Sequence, residues 1–293
     1  MPSLKEVRTR IESVNSTKQI TSAMKMVAAA KLRKSQQAIG TMRPYATKLR
    51  EMMQQIVAGL PAGFSLPQAE QREGGKVLVI PVTSNRGLCG TFNTTVIRTA
   101  VKLIAEEFSA QQQQNELELL CIGRKGDEFF KSRKYQVSGT HNALLDKLSF
   151  DAVVKLADQL MESFLSGEYN KIVFVYSQFR SAGSQTVVTE QFLPIQLPVV
   201  DESKQKSTVE YLFEPDGAQI LGELVPKTLR TQVFKVMLDS LASENGARMI
   251  AMHKATDNAT EMLRHLRLSY NKARQAAITK EILEIVAGAN ALQ

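Results

Sequence analysis

Residues 22–36 read SAMKMVAAAKLRKSQ, with four Lys/Arg, two Met, no Gly, no Pro and no acidic residue. Such a composition favours helix, but a helix whose middle is slender and basic. The same pattern continues on both sides. Between Leu4 and Ile56 only Gly40 and Pro44 break a run of helix formers. Apolar residues fall at Leu4, Val7, Ile11 and Val14, and again at Ile39, Met42, Ala46, Leu49, Met53 and Ile56, in alternating steps of three and four. The spacing predicts one helix, roughly 80 Å long at ~1.5 Å per residue, with a seam for a partner helix and a bend near Gly40 and Pro44.

That partner is at the other end of the chain. FEPDGAQILGELVPKTL (213–229) turns helical after Pro215, with a kink or interruption expected at Pro226. Further on, Ala259, Leu263, Leu266, Tyr270, Ala273 and Ala277 keep the four-three spacing, and Ile278, Ile282, Ile285, Ala289 and Leu292 continue it one position over. Two long seamed helices bury their seams most economically as an antiparallel coiled coil. If residue 57 starts level with residue 215, Met24 lies opposite Arg248, and about 22 residues, ~33 Å, overhang at the C-terminal tip. An overhang holding Ile278, Ile282, Leu283, Ile285 and Val286 exposes apolar surface and so signals a partner.

Between the helices the period changes. GLPAGFSLPQAEQREGG (59–75) reads as a linker. KVLVIPVTS (76–84), ELELLCIG (116–123), KIVFVYSQF (171–179) and QTVVTEQFLPI (185–195) read as strands, with YQVSGTH (135–141) as an edge strand. Helices are expected at 94–110, 125–133 and 150–165. This β/α order implies a mostly parallel sheet covered by helices. The fold class is therefore α/β: a long antiparallel coiled coil of the N- and C-terminal helices plus a Rossmann-like β/α middle domain. The divisions are 1–58 for the first helix, 59–75 linker, 76–200 β/α domain, 201–214 linker, and 215–293 for the last helix with its tip.

The net charge of +8 sits mainly in the first helix: residues 1–57 hold 11 Lys/Arg against 3 Asp/Glu. A stripe of that kind suits an acidic partner surface, protein or nucleic acid. Tyr45 is the sole aromatic before Phe64, so no platform exists for stacking bases. Cys89 and Cys121 sit in apolar settings and read as buried thiols, and His141, His253 and His265 lack metal-ligand spacing. TSNRGLCGTFN (83–93) contains G-x-x-G but neither the dinucleotide fingerprint nor the phosphate loop, and reads as a tight strand-to-helix turn. IGRKGDEFF (122–130) could offer a helix start to an anion, and reads rather as a surface turn. No nucleophile elbow or H-E-x-x-H is present, and Glu281 and Glu284 read as a solvated face. We expect no catalysis, no cofactor and no metal in this chain. No apolar run reaches ~18 residues.

Four segments, KQITSAMKMVAAAKLRKSQ (18–36), SNRGLCGTFN (84–93), GARMIAMHKATDNA (246–259) and YNKARQAAITKEILEIVAGANAL (270–292), closely resemble the gamma subunits of F-type ATP synthases, in order and across the whole chain. The resemblance implies a rotating central stalk inside a hexamer of alpha and beta subunits. It also implies an epsilon subunit and a membrane rotor ring of c subunits as further partners, and no nucleic acid or small-molecule substrate. It implies that Met24 and Lys25 face an acidic lever of the beta subunit, with Arg248 at about the same height, and that Arg274, Gln275 and Thr279 meet catch loops of the hexamer. ILEIVAGANAL would turn in an apolar sleeve, and the segment Lys204 to Tyr211 would lie near the ring. The extra Cys pair of redox-regulated chloroplast members is absent, so no thiol control is expected. The location implied is peripheral, on the cytoplasmic face of a bacterial inner membrane.

Overall fold

A computed structural model describes residues 4–58, 66–72, 74–196 and 216–291. They form α1 (Leu4–Ala58), a 3-10 turn (Pro67–Ala69), β1 (Val77–Pro81), α2 (Phe92–Glu107), α3 (Ser109–Gln113), β2 (Leu117–Cys121), α4 (Arg124–Ser132), β3 (Val137–Thr140), α5 (Ala143–Asp146), α6 (Phe150–Leu165), β4 (Lys171–Ser181), β5 (Ser184–Leu193) and α7 (Gly217–Ala291). The chain divides into two compact units, one of Met1–Ala29 with Arg248–Gln293 and the other of Ala30–Ala247. The expected linker 201–214, much of 59–75 and the residues Lys204 and Tyr211 lie outside the described residues.

In the larger unit the sheet order is β3-β2-β1-β4-β5, parallel throughout except for the antiparallel β4–β5 pair. β1 and β2 are buried at every position, as their unbroken apolar runs require for strands covered on both faces. Alternation then sorts the side chains. Leu78, Ile80, Leu120, Ile172, Phe174 and Tyr176 join Val153, Leu156, Leu160 and Phe164 of α6, Leu49, Met53 and Ile56 of α1, and Leu221, Leu229 and Val233 of α7. Val77, Val79, Leu119, Cys121, Val173 and Val175 pack on the other face against Val96, Ala100 and Ile104 of α2 and Phe130 of α4. α6 starts at residue 150, as the sequence predicts, because Ser149 caps it by accepting a hydrogen bond from the Ala152 amide at 3.4 Å.

Two expectations change. The helix expected at 94–110 begins at Phe92 and ends before Phe108, which is buried and separates it from the short α3. Pro226 does not interrupt α7, which runs unbroken from Gly217 to Ala291. The lost ladder bond is outweighed by the neighbouring turns, where Leu221, Leu224, Val225 and Leu229 are all buried. Pro44 likewise sits inside a continuous α1.

The smaller unit is a helix pair. Val7 and Ala28 of α1 and Met252, Ala259 and Leu263 of α7 are buried, and Ile11, Val14, Leu266, Tyr270 and Ala273 are half-buried, as the seam predicts. Thr21 meets Thr256 at 2.9 Å, and Arg8 reaches Tyr270, with its Nη2 3.3 Å from the phenol oxygen. This register corrects the one expected from the sequence. Met24 lies level with His253, and Arg248 stands about five residues, ~7 Å, earlier on α7. The level start of the two helices was the faulty premise: in the larger unit, Arg43 already pairs with Asp239, where a level start would set residue 229 opposite it. The overhang shortens accordingly, and the described part that makes no seam contact is 278–291.

Candidate functional site

The last half-buried residue of α7 is Ala277, and every described side chain beyond it is exposed. Ile278 (46% exposed), Ile282 (54%), Ile285 (72%) and Val286 (50%) recur at steps of four, three and one, so they form one apolar stripe, with Leu283 beside it. Each such side chain forgoes about 1.5–3 kcal/mol of burial while it stays in water. A stripe of this size on one helix is a docking surface. Arg274, Gln275 and Thr279 lie at its base and are exposed. The Thr279 hydroxyl donates to the carbonyl of Gln275 at 2.9 Å, so its proton is used within the helix. Lys280 and Glu284 form an exposed pair at 3.6 Å.

Lower on the same pair, Met24, Lys25 and Arg248 are all half-buried. The most exposed apolar side chains in this part of α1 are instead Ile20 (61%), Met26 (62%) and Val27 (57%). Ile20 and Val27 are seven apart and share a face, turned away from the buried seam of Val7 and Ala28. Sequence reasoning passed over them. The available signal was that they are large apolar residues standing off the heptad seam.

The middle sheet offers a different kind of place. In an open parallel sheet, ligands bind outside the carboxyl ends of the strands. Here the start of α4 is filled by the protein's own groups. The first amides of α4 are all taken: Gly123 N–H donates to Asn142 Oδ1 (3.1 Å), Arg124 to Asn85 Oδ1 (3.2 Å), Lys125 to the Ser84 carbonyl (3.1 Å) and Gly126 to Thr83 Oγ1 (2.9 Å). A helix start so satisfied has no donors left for an anion. The loop after β1 is tied in the same way, with Ser84 N–H donating to Asn93 Oδ1 at 2.9 Å and Asn85 Nδ2 to the Asn142 carbonyl at 2.8 Å. Gly123 holds φ 102°, and a Cβ there would collide with the Thr83 carbonyl.

A cavity of about 580 Å³ in the larger unit is lined by Arg50, Glu107, Lys171, Glu190, Gln232 and Lys235. Two of its charges meet each other. Lys235 pairs with Glu190 at 3.2 Å, and Lys171 lies 5.0 Å from the centroid of the Phe108 ring. Among the described residues no group of three or more His, Cys, Asp or Glu is placed to hold a metal ion, and no helix is long and apolar enough to cross a membrane. Cys121 is buried in the sheet and its thiol is pushed up to about 12 by that burial, then by Asp127, with Lys131 opposing. Such a thiol is inert at neutral pH.

The sequence profile of the ATP synthase family matches residues 3–292. The ATP synthase gamma chain of Flavobacterium johnsoniae is 53% identical over 292 residues, spanning 100% of this chain and 99% of that one. The chain belongs to the ATP synthase gamma family. A second gamma chain, from Cytophaga hutchinsonii, is 48% identical over 293 residues and again covers 100% of this chain and 99% of its own length. A chain from the cryo-EM structure of Euglena gracilis mitochondrial ATP synthase, an OSCP/F1/c-ring assembly, shares the fold with a TM-score of 0.69 at 22% identity, over 99% of this chain and 94% of that one. The gamma fold thus accounts for both units: the paired terminal helices and the mixed sheet.

Proposed function

We propose that this chain is the central rotor shaft of a proton-translocating F-type ATP synthase, coupling rotation of a membrane ring to conformational cycling of the catalytic beta subunits. The observation that carries the reading is the apolar end of α7, five large aliphatic side chains exposed on one helix with no partner among the described residues. A sleeve formed by a ring of alpha and beta subunits would cover it and still let it turn.

In this reading the chain catalyses nothing and holds no cofactor. A shaft of two unequal helices presents a different face in each direction. Turning it changes the contact energy at each of three surrounding sites and so shifts each among states of different nucleotide affinity. Met24 and Lys25, with the exposed Ile20, Met26 and Val27 beside them, contact an acidic lever of the beta subunit, with Arg248 nearby on α7. Arg274, Gln275 and Thr279 engage the hexamer at the base of the tip. Lys204 and Tyr211 stand near the membrane ring, and the epsilon subunit joins the foot. The complex would sit on the cytoplasmic face of a bacterial inner membrane. The basic excess of α1 serves protein carboxylates rather than nucleic acid.

The test is assembly followed by coupling. The chain should co-purify with three copies each of two acidic, P-loop-bearing subunits, and Met24→Lys should depress ATP-driven proton pumping in the reconstituted complex by adding a cation at the lever. Failure to co-purify rejects the shaft. Pumping unchanged in Met24→Lys rejects the lever contact alone.

A further inference from the structure

Helix α1 is weakest around Arg43. Pro44 has no N–H, so the Gly40 carbonyl loses its ladder partner. Gly40 is itself a poor helix former, and Thr41 bonds back to the Ala38 carbonyl at 3.0 Å. At this point Arg43 reaches out of the helix. Its Nη2 donates to the Phe179 carbonyl at the end of β4 (2.6 Å) and to Asp239 Oδ1 on α7 (3.2 Å). One guanidinium therefore ties the faulted turn of α1 to two other elements of the larger unit.

The other half of this tie is costly. The Asp239 side chain is 1% exposed, and its Oδ2 is buried without a hydrogen-bond partner. The groups facing it are Arg43 from α1, Lys235 from its own helix, Glu190 from β5 and the Tyr176 phenol from β4, which donates to Glu190 at 2.5 Å. Burial dominates and raises the carboxyl above its ordinary range, while Arg43 and Lys235 oppose the rise and Glu190 adds to it. A neutral side chain of the same shape would occupy this site at lower cost. What the carboxylate adds is its hold on Arg43.

We propose that the Arg43–Asp239 pair is a releasable clamp that stiffens α1 across its proline fault and lets go when Asp239 takes up a proton. In a carboxyl raised by folding, the folded chain binds the extra proton first. Global stability therefore rises as pH falls through the raised value, while the clamp loses its charge in the same window. Stiffness at the fault and overall stability move in opposite directions. An ion pair that merely supports the fold would move them together.

Hydrogen exchange of the full chain separates the two, read at the amides of Thr41, Met42, Tyr45 and Ala46 and corrected for intrinsic rate. Asp239→Asn should speed exchange there by about tenfold while the melting temperature stays level or rises. Wild-type protein should approach the Asn variant as pH is lowered, and the variant itself should show no such drift. Arg43→Gln should speed the same amides and lower the melting temperature, because Asp239 is left buried and unpaired. Asp158→Asn, which breaks the Arg230–Asp158 pair (2.7 Å) between α6 and α7, should leave them unchanged. The proposal fails if exchange at these amides is the same in Asp239→Asn as in wild type, if the pH drift survives in that variant, or if Asp158→Asn reproduces it.

Discussion

The hydroxyls of Thr21 and Thr256 meet at 2.9 Å across the helix pair, and each also lies on a carbonyl of its own helix, Lys18 at 3.1 Å and Met252 at 2.8 Å. Two protons serve three contacts, so a full cross-helix bond leaves one of the two local contacts unfilled. A half-buried polar pair in a seam of Ala and Met fixes which residues face each other, since small apolar side chains alone distinguish registers poorly. Thr21→Val and Thr256→Val should each weaken the pair. A double-mutant cycle by urea unfolding, followed by helical circular dichroism, should give a coupling of about 0.5–1.5 kcal/mol. A coupling of zero would mean that the register is set elsewhere.

Gly123→Ala should be severe. The backbone there is at φ 102°, and the new methyl would strike the Thr83 carbonyl, two residues past β1 in a segment whose Thr83 amide is bonded to the Ile122 carbonyl. We expect a loss of about 3 kcal/mol or more, or no folded protein, in denaturant titration. Gly40→Ala meets open space and should raise helix stability by about 0.5–1 kcal/mol.

Alkaline pH should destabilise the larger unit in two stages. The Cys121 thiol stays neutral to about 12 when folded but ionises near 9.0 when unfolded, so the unfolded chain sheds its proton first and stability falls as pH rises above 9.0. Tyr169 and Tyr176 are also raised, mainly by burial and then by Glu118 and Glu190 respectively, and add to the fall above the ordinary tyrosine value of 10.0. Each group contributes a slope of about 1.4 kcal/mol per pH unit in its window. Urea midpoints measured from pH 8 to 11 should bend downward near 9.0, and Cys121→Ala should remove that first bend while lowering the whole curve.

Substitutions in the tip should separate folding from assembly. Ile285→Ser and Val286→Ser change side chains that are 72% and 50% exposed, so the melting temperature of the isolated chain should move by no more than about 0.5 kcal/mol equivalent. Recovery of the complex in co-purification should drop if, as proposed above, the tip docks in a sleeve of the hexamer. A lowered melting temperature with intact assembly would place the tip inside the chain's own core.

Much of this architecture is written in local pattern. The strands around Val79, Leu119 and Phe174 are legible because both sheet faces are covered, which demands unbroken apolar runs. Helix α6 is legible because a Ser cap precedes an amphipathic period. The exposed tip is legible because its seam outlasts its partner. Register was not legible, because Ala28 and Ala259 pack equally well one turn away and only side chains as far apart in sequence as Thr21 and Thr256 decide it. Pro226 misled because the burial of Leu221, Val225 and Leu229 is a tertiary fact. The Arg43–Asp239 tie escaped for the same reason, since it leaves no mark in spacing, whereas Ile20 and Val27 were readable as large apolar residues off the seam.

The satisfied start of α4 bears on the company this chain keeps. A β/α sheet with free amides at its strand ends would be one more sink for phosphate groups, drawing nucleotide from the very enzyme it serves and stiffening or loosening with the cell's energy charge. With Thr83, Ser84, Asn85 and Asn142 occupying the first amides of α4, that helix start is electrically quiet toward phosphate. It can stand beside ATP chemistry as insulation stands beside a current.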